Sequence, residues 1–268
     1  MAASIAALPS WLPGVWRRAW IERRAARTDA FDVHYFQTPS TFADIRIPRD
    51  RPSFAHAKSF EDLTDAELLA LAKQRGFSGN TTVSVALATW HHEIDFQPPD
   101  TSADIGRLER VDDSHMFEHA TDSSYVESWR KADSGESRFL VVRVERARRL
   151  DRTLIVVGDR FIYVRNRTRD LPPAESIDSL IVSTHASRAQ IIAYLDCEFS
   201  VGRIHGASIP WQIERSTLPW RESRRLDFAN EIVVDADSVA PRKPSRKRWS
   251  TLMNSFSRAE LLAIIPAR

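Results

Sequence analysis

The sequence holds one cysteine, Cys197, so no intrachain disulfide can form and the chain fits a reducing compartment. Glycine is scarce, at 8 of 268 residues. Neither a Walker A loop nor a Gly-x-Gly-x-x-Gly fingerprint nor a Gly-x-Ser-x-Gly nucleophile turn occurs, which removes P-loop, Rossmann and α/β-hydrolase chemistry. Long apolar runs are also missing, so no membrane span is expected. The opening stretch MAASIAALPSWLPGVWRR has no basic leader and is broken by Pro9, Pro13 and Arg17, which argues against a secretory signal. Charge of one sign is absent too. Lys plus Arg total 38 against 36 for Asp plus Glu, leaving +2 and no argument for a nucleic-acid partner. No repeat of the length used by solenoids or propellers is visible. A cytoplasmic protein is expected.

What is present is ordinary globular material. Hydrophobic residues make 43% and charged residues 28% of the chain, enough for a sizeable core. Most segments read as strands. FDVHYFQTP (31–39) and TFADIRIP (41–48) are β-rich runs separated at Pro39 and suggest a hairpin. NTTVSVALATWHHEIDF (80–96) is a long strand or two joined at a bend, and Gly106 in ADIGRLERV marks a candidate bulge. In TLIVVGDRFIYVRN (153–166), two apolar β-branched runs flank Gly158-Asp159, a two-residue hairpin turn. One helix is well signed over residues 64–75: Thr64 is an N-cap, Glu67 closes a capping box and Gly76 is a stop. SIDSLIVSTHASRAQIIAYLD (176–196) is ambiguous, with Ser187 and Gln190 able to cap a short helix. After a basic, Pro/Ser-rich stretch (240–250), Leu252, Phe256, Leu261 and Ile265 fall on one side of an amphipathic helical pattern. Docking on its own protein and recruiting a partner both remain open for that tail.

Many short strands with little helix predict a mainly β fold of antiparallel barrels. Gly14-Val15-Trp16, FADIRIP, TWHHEIDFQPP, DIGRLE, YVESWR and LIVVGDRFIYVRNR occur in an order that resembles a fungal and bacterial family of lipocalin-like, calycin-type double β-barrel proteins. The likeness runs over residues 10–235 and is densest in YVESWR and LIVVGDRF. It implies two antiparallel barrels packed together and no established reaction. The expected division is an N-terminal barrel over 10–132 holding the ligand site, a structural C-terminal barrel over 137–238, and a basic linker with helical tail over 239–268. The seam lies near KADSGESR (131–138).

Strand alternation sorts ATWHHEIDFQP (88–98) into two faces: Trp90, His92, Ile94 and Phe96 against Thr89, His91, Glu93 and Asp95. Zinc needs three or four convergent ligands. His91 and His92 cannot share a cavity without a bulge, so no metal and no cofactor is expected. Asp44 and Arg46 share a face of their strand, as do Arg107 with Glu109, and Tyr125 with Glu127 and Trp129. If these polar faces converge inside the first barrel, crowded carboxylates and a histidine could exchange protons near neutrality. Solvent-facing cross-strand pairs would look the same in sequence. The expectation is a barrel binding a small, partly apolar, anionic organic molecule, with cofactor-independent lyase, hydratase or isomerase chemistry. His91 or Glu93 would be the base and Glu127 the acid. Arg46 would hold the anion, with Asp44, Arg107, Glu109, Tyr125, Trp90 and Trp129 around the ligand. The alternative is a non-catalytic scaffold whose C-terminal helix recruits a protein partner or a second copy.

Overall fold

The computed structural model describes residues 8–99, 102–132 and 138–265. The chain begins with β1 (Gly14–Arg23), β2 (Ala26–Thr28), β3 (Phe31–Gln37) and β4 (Thr41–Pro48). Helix α1 (Asp65–Ala72) follows, then β5 (Arg75–Ser84), β6 (Leu87–Asp95), β7 (Asp104–Arg110), β8 (His115–Ala120) and β9 (Val126–Lys131). Strands β1 and β3 to β9 pair antiparallel in succession, and β9 returns to β1. These eight strands close a barrel, while β2 folds back on the end of β1. Closure leaves no exposed edge. The amino-terminal segment is strand from Gly14.

Local chemistry sets the connections. The β3–β4 hairpin forms where predicted, with Thr38 closing the turn by accepting from Thr41 N at 3.0 Å. Helix α1 has the predicted capping box: Thr64 Oγ1 accepts from Glu67 N, and Glu67 accepts from Thr64 N at 2.8 Å. It ends before Gly76, which already belongs to β5. A Cβ at Gly76 would lie 2.9 Å from the Phe199 ring, so glycine there permits close approach of a second sheet.

That second layer comprises β10 (Phe139–Arg146), β11 (Arg149–Val157), β12 (Arg160–Arg165), β13 (Glu198–Arg203) and β14 (Gln212–Ser216). A β15–β16 hairpin (Ile232–Asp235, Ser238–Pro241) and β17 (Arg248–Asn254) follow. Helices α2 (Ile177–Thr184) and α3 (Arg188–Leu195) occupy the ambiguous segment, and α4 (Arg258–Ile264) comes last. The Gly158 turn joins β11 to β12 at φ +59°, as its composition predicts.

The strand order β14-β13-β12-β11-β10-β17 does not close. The expected second barrel is therefore an open six-stranded sheet, and the described residues carry four α-helices where one was prominent in the sequence. The reason lies in the strands themselves. Leu154, Ile155, Val156 and Val157 are all fully buried, so β11 is apolar on both faces, as in a layer covered from both sides. One face packs on the barrel's outside through Ile155, Val157 and Phe199 against Ile45, Ile94 and Phe96. The other, with Val156 and Phe161, is covered by Trp211, Phe228, Ile232 and Leu261.

The C-terminal segment is part of this layer and not a separate tail beginning at residue 239. Residues 248–254, expected as the end of the basic linker and the start of an amphipathic helix, form an edge strand on β10. Leu252 is half-exposed, whereas Leu261 and Ile265 are buried in the second core and Trp211 Nε1 donates to Ile264 O at 2.9 Å. Lys247 pairs with Asp151 at 2.8 Å, and Arg242 donates to Asn230 O at 2.9 Å. Trp220 packs edge-on against Phe60. Residues 133–137 of the predicted seam lie outside the described residues. No helix among the described residues is long and apolar enough to cross a membrane.

Candidate functional site

Register fixes what the barrel encloses. Tyr35, Asp44 and Phe77 stand opposite one another on β3, β4 and β5, as do Val33, Arg46 and Arg75 one step toward the barrel's end. Trp90 lies across from Asp104, Glu118 from Glu127, and Trp129 from Arg18. Side chains directly opposite share a face. The inner face is therefore mixed aromatic and ionisable. Its deep part is filled by Trp16, Tyr35, Phe42, Trp90 and Trp129.

The end lined by Arg46, Arg75, His92, Asp104 and Tyr125 is shaped by a bulge in β6. Gly79 pairs with His92 but Ser78 pairs with Ile94, leaving Glu93 as the extra residue. Gly79 is required there, because a Cβ would fall 1.9 Å from His91 O. Before the bulge, Trp90 and His92 face inward. After it, Ile94 and Phe96 turn out to the second sheet and Asp95 comes back to the rim. His92 Nδ1 then lies 2.7 Å from Asp95 Oδ1 and its Nε2 lies 3.0 Å from Asp104 Oδ2. Its ring stacks on Phe77, with centroids 4.7 Å apart. Burial opposes charge on this imidazole, but the two aspartate contacts outweigh it and raise its pKa to about 9. Arg167 clamps the same turn from behind, donating to Asp95 O at 2.6 Å and to Phe96 O.

Beneath the rim lies a buried ionic cluster. Arg18 pairs with Glu127 Oε1, and Arg46 Nε donates to Asp44 Oδ1 at 2.9 Å while its Nη1 stands 3.9 Å from Glu127. Glu118 accepts from Tyr125 OH at 3.0 Å. Burial, then the charges of Glu127 and Asp104, push the Glu118 carboxyl up to about 8, so it is protonated at neutral pH. Burial also raises Asp44, against the pull of Arg46. Space for Glu118 comes from Gly106, where a Cβ would sit 2.9 Å from Glu118 Cγ and 3.1 Å from the Trp90 ring. Gly106 pairs regularly and is not the bulge its sequence suggests. Arg18 Nε, Glu127 Oε2 and Trp129 Nε1 are buried without hydrogen-bond partners among the described residues.

Above the rim opens a cleft of about 1,210 Å³. Phe31, Phe77, Trp90, Tyr125, Arg75 and His92 line its barrel side, and Gln97, Glu175 and Asp178 line the far wall. Arg75 has no acidic partner among the described residues. Partial burial and the guanidiniums of Arg46, Arg23 and Arg18 lower its pKa. Arg23 makes one described side-chain contact, with its guanidinium 5.7 Å from the Tyr125 ring centroid.

The structure thus brings Asp44, Arg46, Glu127, Trp90 and Trp129 together inside the barrel, with Tyr125 at its mouth. It does not bring in the other four. His91 points outward to the margin of the cleft, with Nε2 2.9 Å from Thr82 Oγ1. Glu93 ties the barrel to the second sheet through Arg143 at 2.6 Å. Arg107 and Glu109 form a solvent-exposed pair at 3.6 Å, and Glu109 also meets His119. The expected convergence of all these polar faces is corrected accordingly. Sequence reasoning missed Arg18, Glu118, Arg75 and Arg23, and set His92 on an apolar face. Trp16-x-Arg18 and Met116-x-Glu118 carried the alternation signal for two of them. Among the described residues no group of three or more His, Cys, Asp and Glu side chains is placed to hold a metal ion.

No protein-family model matches the chain, and no curated protein matches it in sequence. A solved structure is similar in fold: the uncharacterised protein YLR301w of Saccharomyces cerevisiae, at TM-score 0.53 and 11% identity, covering 91% of this chain and 99% of that one. The likeness is one of fold and agrees coarsely with a lipocalin-like barrel.

Proposed function

We propose that the open end of the barrel binds a small, partly apolar, anionic organic molecule. The observation that carries this reading is the pair of guanidiniums, Arg23 and Arg75, without acidic partners among the described residues, beside a cleft floored by Phe77 and Trp90. A guanidinium crowded by other cations gains most from an anion, and a planar carboxylate matches its fork. Acid–base turnover of such a ligand, by elimination, hydration or isomerisation, would fall to Tyr125 at the mouth and to Glu118, bonded to it from beneath the rim. His91 and Glu93 face away from it, and Glu127 is engaged by Arg18.

The test is a thermal-shift and native mass spectrometry screen of small organic acids against the full chain. At least one acid should raise the melting temperature, and Arg75→Ala should weaken it about tenfold or more. Arg107→Ala, on the outer face, should leave binding unchanged. If no acid binds, or if Arg75→Ala binds like the parent, the reading fails.

A further inference from the structure

We infer that the mouth takes a zwitterionic aromatic compound of the amino-acid type, with its carboxylate on the Arg23–Arg75 side and its ammonium on the Asp95–Asp104 side. This rests on the ligand-site reading above and narrows it. The charges at the mouth are segregated. Arg75 sits among cations, opposite Arg46 in register. On the neighbouring strand β6, His92 is shared between Asp95 and Asp104 of β7, so one imidazolium meets two carboxylates and a net negative charge remains. Glu175 and Asp178 line the same cleft and reinforce that sign. A simple anion would satisfy only half of this arrangement. A molecule carrying both charges at one end of an apolar body satisfies both halves, and the rings of Phe31 and Tyr125 line the same cleft to meet that body.

Isothermal titration calorimetry of the full chain with three probes tests the inference: phenylalanine, 3-phenylpropionate and 2-phenylethylamine share a ring and differ only in charge. Phenylalanine should bind at least tenfold tighter than either single-charge analogue. Arg75→Ala should weaken phenylalanine and phenylpropionate but not phenylethylamine. Asp104→Asn, which leaves His92 its Asp95 contact, should weaken phenylalanine and phenylethylamine but not phenylpropionate. Phenylpropionate binding as tightly as phenylalanine would overturn the zwitterion assignment and leave the anion site standing. Binding of phenylethylamine alone would overturn both. Binding of none of the three overturns this inference, and the wider acid screen then decides the site separately.

Discussion

The barrel and the sheet behind it use alternation in opposite ways. Strands β11 and β12 are apolar on both faces and become the middle layer of a sandwich. The barrel strands keep two chemistries apart. Their outer face is apolar where it meets the sheet and charged where it meets water, while their inner face mixes tryptophans with arginines and carboxylates. A doubly covered sheet has no room for chemistry, because every unpaired polar atom there costs free energy. A closed barrel can shelter ionic groups if they pair, and open them to a ligand at one end. The difference separates a supporting layer from a candidate site within one chain.

The sharpest way to break this comparison is to delete one member of a barrel ion pair. Glu127→Ala leaves Arg18, whose side chain is 4% exposed, buried without its carboxylate. It should cost about 3–5 kcal/mol in urea unfolding. The double variant R18M/E127L should recover most of that loss, since a well-packed apolar pair often replaces a buried ionic one without penalty. Failure of the rescue would mean that packing, not charge, holds this part of the barrel. In the sheet, Ile155→Ala should cost about 2–5 kcal/mol through lost contact and a residual cavity. It should leave binding at the mouth intact. A loss of binding there would show that the two layers are energetically one.

How much of this was legible can be said residue by residue. The alternation in TFADIRIP and YVESWR correctly put Asp44, Arg46 and Glu127 on inner faces, because a regular strand has period two. In WHHEID the same rule fails after His92. One extra residue in β6 inverts every later side chain, and the signal for it, Gly79, sits on the neighbouring strand. The open sheet was written in LIVV and FIYV, where adjacent apolar residues indicate two covered faces; family likeness pointed instead to a second barrel. The strand at 248–254 was hidden because its partner, β10, lies about a hundred residues earlier, and helical spacing of Leu252 and Phe256 arises by chance in so short a run. Arg23 and Arg75 were invisible as a pair because their strands, β1 and β5, are separated in the sheet by β3 and β4, so no local pairing signals that the two guanidiniums share one opening.

A smaller effect separates the two layers by pH. Glu118 titrates near 4.5 when unfolded and near 8 when folded. Between those values the unfolded chain releases a proton that the folded chain keeps, so stability falls as pH rises. His92 acts in the same direction between 6.5 and 9, where the folded state alone retains its proton. Melting temperature should therefore decline from pH 5 toward pH 9. Glu118→Gln should flatten the lower part of that decline and add roughly 1–2 kcal/mol at pH 8.5. The interior of β10–β13 should contribute nothing to the slope, so Ile155→Ala should shift the curve without changing its shape. An unchanged pH profile in Glu118→Gln would remove this carboxyl from the account of the mouth.

The smallest effect tests the two faces of a single barrel strand. On β7, Gly106 and Leu108 look inward, while Arg107 and Glu109 look into water with about half of each side chain exposed. An exposed pair at 3.6 Å gains little Coulomb energy and is screened by salt. Arg107→Ala and Glu109→Ala should each change stability by less than about 0.5 kcal/mol and leave any ligand affinity alone. Gly106→Ala, one residue away, should be felt at both, because its new methyl group would press on Glu118 and Trp90. If the outer-face variants instead impair binding, the strand's two faces are not chemically separate, and the site extends beyond the barrel mouth onto the outer surface next to His119.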